Sequence, residues 1–75
     1  MFNAKEMENM FEIGRQIQYM IDNDEIEVED SAEAFIFARK LSFAFEEEHP
    51  ETDDYYADLY EFVVEKILER FGVEQ

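Results

Sequence analysis

Two glycines and one proline are all that punctuate this chain of 75 residues. So little punctuation favours long helices over strands joined by tight turns. Three stretches carry apolar residues at helical spacing, over about 3–23, 31–47 and 53–71. In the first, Asn3 is a good N-cap, Glu6 stands three residues on as in a capping box, and Phe2 and Met7 are placed for a hydrophobic staple. Met7, Met10, Phe11, Ile13, Gly14, Ile17, Met20 and Ile21 fall on one face, with Glu8, Glu12, Arg15 and Gln16 on the other. Asp30 or Ser31 caps the second stretch, with Glu33 in its first turn. Thr52 or Asp53 caps the third, and Gly72 is placed to end it. His49-Pro50 separates the last two. Asp24 to Glu29 alternates acidic and apolar residues. A lone strand would have no ladder partner, so this connection reads as an extended loop that tucks Ile26 and Val28 onto the helices. Short connections predict an all-α fold, a small three-helix bundle forming a single domain over 1–75.

The charge is far from balanced. Asp and Glu number 21 against six Lys and Arg, a formal net charge of −15. A disordered acidic tail has few aromatics, but this chain carries eight Phe and four Tyr and is 47% hydrophobic. A foldable apolar half therefore supports a polyanionic surface. Solubility of a small domain needs a net charge of only about 2–8, and a larger excess costs stability through self-repulsion. Such a surface repels nucleic acid and anionic membrane, and attracts what normally binds them. Neither direct nucleic-acid binding nor membrane association is expected. The N-terminus lacks the pattern of a signal peptide and no apolar run is long enough to span a bilayer, so a cytoplasmic location is expected.

The second helix has apolar residues to spare. Ala34, Phe35, Phe37, Ala38, Leu41, Ala44 and Phe45 share a broad arc, while Ile36 and Phe43 lie opposite, beside Arg39 and Lys40. One reading buries both sides of this helix between the other two. The other makes Ile36 and Phe43, with Arg39, the seam of a homodimer, and a homodimer is the expectation.

The acids are patterned. One cluster, from Asp22 to Glu33, includes Glu25, Glu27 and Glu29. A second begins with Glu46, Glu47 and Glu48 and runs to Glu61. Neither contains a lysine or arginine. An up-down bundle would put the two inter-helix turns at opposite ends. Between them Asp54, Asp58, Glu61, Glu65 and Glu69 follow steps of four, three, four and four, one stripe of a helix about 22 Å long. Duplex DNA carries one charge per about 3.4 Å on each strand. The carboxylate row is therefore of comparable scale, with Tyr55 and Phe62 beside it as apolar anchors. Like charges at this spacing weaken a helix. The pattern is costly for folding and useful for occupying a cationic groove. The expected partner is a basic DNA-binding protein, held in place of DNA.

Tyr55-Tyr56-Ala57-Asp58-Leu59 resembles a Tyr-Tyr-Ala-Asp-aliphatic run in the phage Ocr-type antirestriction proteins. The resemblance implies an acidic, helical, dimeric mimic of B-form DNA encoded by a phage or mobile element. It implies a host target such as a restriction enzyme, nucleoid protein, CRISPR effector or RNA polymerase.

Catalysis is not expected. There is no cysteine, and the single His49 has no triad context and reads as a surface turn residue. Ser31 and Ser42 lie in a capping region and on a helix, and no phosphate-binding loop is present. Asp22-Asn23-Asp24 begins like a calcium loop, but Ile26 and Glu27 stand where an oxygen ligand and glycine are required. No metal or cofactor is expected. The alternative function is a helical interaction module that binds through apolar residues such as Ile36, Phe43 or Phe62, its acidity serving solubility.

Overall fold

The computed structural model describes residues 3–72. It contains three α-helices, α1 (Ala4–Asp22), α2 (Ser31–Glu48) and α3 (Tyr56–Phe71), with a 3₁₀ segment, Pro50–Tyr55, leading into α3. The three-helix bundle predicted from the spacing is present. Phe2, half of the expected staple, lies outside the described residues.

Local chemistry accounts for most helix ends. The Asn3 side chain accepts a hydrogen bond from the Glu6 N–H at 2.8 Å. Asp30 accepts one from the Glu33 N–H at 2.9 Å, and the Glu33 carboxylate accepts the Glu29 N–H at 3.1 Å. Each cap is worth about 1 kcal/mol. At the end of α1 the Glu25 N–H donates to the Met20 carbonyl at 2.7 Å and the Asp24 N–H to that of Ile21 at 3.1 Å. This is a Schellman motif, and it puts Asp24 in the left-handed region at φ 57°. Gly72 ends α3 at φ 65°, as its position predicts.

The third helix begins later than its spacing suggests. Pro50 opens the 3₁₀ segment rather than α3. Thr52 caps nothing: its hydroxyl donates back to the His49 carbonyl at 2.8 Å, and the residue is fully buried. Tyr55 then leaves the helical region, at φ −136° and ψ 34°, before α3 starts. Asp54 therefore does not extend the wheel of α3. The five-residue stripe is corrected to Asp58, Glu61, Glu65 and Glu69.

The middle helix is α3. It packs against both α1 and α2, which make little direct contact with each other. It also supplies Leu59, Val63, Val64, Ile67 and Leu68 to the core. This overturns the reading in which α2 lies buried between its neighbours. The buried stripe of α2 is Ala34, Ala38, Ser42 and Phe45. Small residues there leave room for close packing against α3. Ile36 and Phe43 are 55% and 57% exposed on the outside of α2, and Arg39 and Lys40 are exposed beside them. The α1–α2 connection behaves as its alternation predicts: Ile26 and Val28 are buried, and Glu25, Glu27 and Glu29 face solvent.

His49 is not a free turn residue. Its ring stacks on Phe45 with centroids 4.2 Å apart. Its nitrogens lie 4.0 Å from a Glu12 carboxylate oxygen and 3.7 Å from one of Glu51. It thus joins α1, α2 and the 3₁₀ segment.

Candidate functional site: an acid-rimmed cleft

α1 has more apolar residues than one neighbour can cover. Met10, Ile13 and Ile17 point into the core, but Met7 and Phe11, at the edge of the apolar arc, remain 50% and 71% exposed. Because α1 packs chiefly on α3, that edge has no second helix to meet. It faces α3 across a cleft of about 420 Å³ lined by Met7, Met10, Phe11 and Phe62, with Asp58, Glu61 and Glu65 along the α3 side. Phe62 lies over Gly14; a Cβ there would sit 3.7 Å from the ring, at ordinary contact distance.

The helices α1 and α3 run in the same direction. Asn3 and Lys5 adjoin Glu51 and Asp54 at one end, and Arg70 pairs with Asp22 at 3.5 Å at the other. The cleft therefore has two distinct halves. Asp58, Glu61 and Glu65 are exposed and make no ion pair among the described residues. Farther along, Met10, Phe11 and Phe62 continue into a second depression where Glu69 is accompanied by Arg15, Lys66 and Arg70. The Lys66 ammonium also stands 5.4 Å from the Phe62 ring centroid. So the carboxylate row is bare for its first three members and partly neutralised at its fourth.

The other expected contact residues are dispersed. Asp54 lines a small separate crevice near Lys5. Tyr55 is turned inward, its hydroxyl accepting a hydrogen bond from the Asn9 side chain at 2.8 Å. Glu47 and Glu48 are exposed and Glu46 half-buried at the C-terminus of α2, near the start of α3. Glu25, Glu27 and Glu29 belong to the opposite end, where α1 closes against Arg70. The two clusters flank the row from opposite ends. Periodicity places Met7 and Phe11 on the apolar face of α1 without distinguishing them from the residues that enter the core. The signal available was the width of the apolar arc on α1, broader than a single helix contact requires.

Among the described residues, no group of three or more His, Asp or Glu side chains is arranged to hold a metal ion, and no helix is long and apolar enough to cross a membrane. Comparison with protein families, curated proteins and solved structures returns no match.

Proposed function

We propose that the protein is an acidic inhibitor, encoded by a phage or mobile element, that occupies the cationic surface of a host DNA-binding protein in place of DNA. The observation that carries this reading is the bare run of Asp58, Glu61 and Glu65 on the outward face of one helix. From Asp58 to Glu69 the row spans about 16 Å at 1.5 Å per residue, about five phosphate intervals on one DNA strand. Four carboxylates over that length give a somewhat sparser but rigid anion row. Displacing counterions from a partner's lysines and arginines follows the same physics as DNA binding.

The placement of other acids supports selection for something besides stability. Glu46, Glu47 and Glu48 stand at the C-terminus of α2, and Asp22 ends α1, with no basic residue in either last turn. Each such charge opposes the helix dipole, at about 0.3–1 kcal/mol in an exposed site. The resemblance of Tyr55 to Leu59 to Ocr-type proteins points toward the same class of target. A homodimer through Ile36, Phe43 and Arg39 belongs to this proposal, and sedimentation of wild type against Phe43→Glu tests it.

The deciding experiment is capture of partners from nuclease-treated lysate, with and without competing duplex DNA, across a salt series. The reading predicts a basic DNA-binding partner, released by DNA and by salt, and lost with D58K/E61K/E65K while helical circular dichroism is kept. Retention of that partner by the reversed variant would overturn it. The exposure of Phe11 and Met7 favours a second reading, an interaction module held by apolar contacts, in which affinity would survive salt.

A further inference from the structure

We infer that the cleft between α1 and α3 seats a basic amphipathic helix of the target. This rests on the reading above and narrows it from a cationic surface to a cationic helix. The floor of the cleft is apolar, and Phe11 is its most exposed member at 71%. A partner surface made only of lysines and arginines would leave that ring in water. An amphipathic helix covers it, setting apolar side chains at i, i+3 or i+4 and i+7 into the cleft. Those positions span about 10 Å, close to the rise of α1 from Met7 to Gly14.

Charge settles which kind of helix fits. The α3 rim along Met7 and Phe11 bears Asp58, Glu61 and Glu65 without a cation, so the occupant carries its lysines or arginines there. Farther along, Arg15, Lys66 and Arg70 adjoin the cleft. An occupant reaching that far is neutral or acidic at that end. Its own N-terminus, the positive end of its dipole, then belongs over Asp58 to Glu65. The outer face of α2 offers Ile36 and Phe43 with Arg39 and Lys40, so a second copy has some of the required chemistry. In the symmetric homodimer proposed above, Ile36 and Phe43 are covered by their own counterparts on the partner and are not free to enter the cleft.

The test uses two fluorescent peptides of identical lysine and leucine composition, each about five helical turns long. One has its leucines at helical spacing and the other is scrambled. Anisotropy at about 0.15 M salt, where surface charges are screened beyond about 8 Å, reads their affinities. The patterned peptide is expected to bind at least about tenfold tighter, equivalent to about 1.4 kcal/mol. M7S/F11S removes that preference and leaves the scrambled peptide's affinity unchanged. Both residues are exposed, and circular dichroism checks that the fold is kept. Equal binding of the two peptides, or full retention of the preference in M7S/F11S, overturns the inference while the anion-row reading stands. Patterned-peptide affinity unchanged in D58K/E61K/E65K sinks the anion-row reading itself. A concentration-dependent dimer abolished by M7S/F11S makes a second copy the occupant and also overturns the inference.

Discussion

Replacing Ser42 by alanine should stabilise this protein. Ser42 is fully buried on the face of α2 that also carries Ala34 and Ala38, and its hydroxyl has no hydrogen-bond partner. A buried, unsatisfied polar group costs about 1–3 kcal/mol. Removing it leaves a void smaller than a methyl group, which costs less than about 1 kcal/mol. Alanine adds up to about 0.5 kcal/mol of helix propensity. The expected net gain is about 1–2 kcal/mol, and each kcal/mol raises Tm by about 4–8 °C in a domain of this size. Urea unfolding followed by circular dichroism measures it, with an unchanged slope showing that the denatured state is unaltered. The companion variant Ala44→Ser places serine at an exposed position of the same helix and isolates the propensity contribution. If S42A is less stable than wild type, the hydroxyl makes a bond in solution and the α2–α3 packing argued from it is wrong.

Three further substitutions probe the backbone and the site. Gly14→Ala places its Cβ at ordinary contact distance from Phe62, 3.7 Å. It should gain about 0.5–1 kcal/mol of helix propensity in thermal unfolding; a loss would show that the ring lies closer to α1. Asp24→Gly relieves the left-handed backbone at φ 57° and removes one acid from a crowded turn. A gain of about 0.5 kcal/mol is expected by denaturant titration, and destabilisation would refute the capping geometry. Tyr55→Phe leaves the buried Asn9 side chain with Glu51 alone, at 3.4 Å, and should cost about 1–2 kcal/mol of stability. Partner affinity should not change, because that hydroxyl faces inward; reduced affinity with unchanged stability would restore Tyr55 as a contact residue.

Much of the fold was legible because it is set by neighbours in sequence. Asn3 and Asp30 cap with side-chain oxygens, Gly72 supplies a left-handed residue, and Ile26 and Val28 alternate with solvated acids. The misread features depend on contacts distant in sequence. Which helix sits in the middle follows from how three apolar faces share one core, and α2's own pattern does not carry that. At the break before α3, the Tyr55 hydroxyl meets Asn9, a polar residue of α1 buried 46 positions away. For His49 the distant neighbour is Glu12 of α1, which only the fold brings to within 4.0 Å of the ring; the Phe45 ring it stacks on lies one helical turn earlier and was within reach of the sequence pattern. At the site, the spacing of Asp58, Glu61, Glu65 and Glu69 was readable, being internal to one helix. The apolar cleft beside them was not, because it needs Phe11 of α1 and Phe62 of α3 to be brought together. Neither periodicity distinguishes an apolar residue at the edge of a contact from one inside it.

Amide-resolved NMR of the protein, titrated with the patterned lysine–leucine peptide, tests the central claim most directly. If the bare carboxylates and the adjoining cleft form the recognition surface, shifts will concentrate at Phe11, Asp58, Glu61, Phe62 and Glu65. Signals from Ile36 and Phe43 will stay in place. Shifts centred on the outer face of α2, or spread evenly over every acidic side chain, would contradict it.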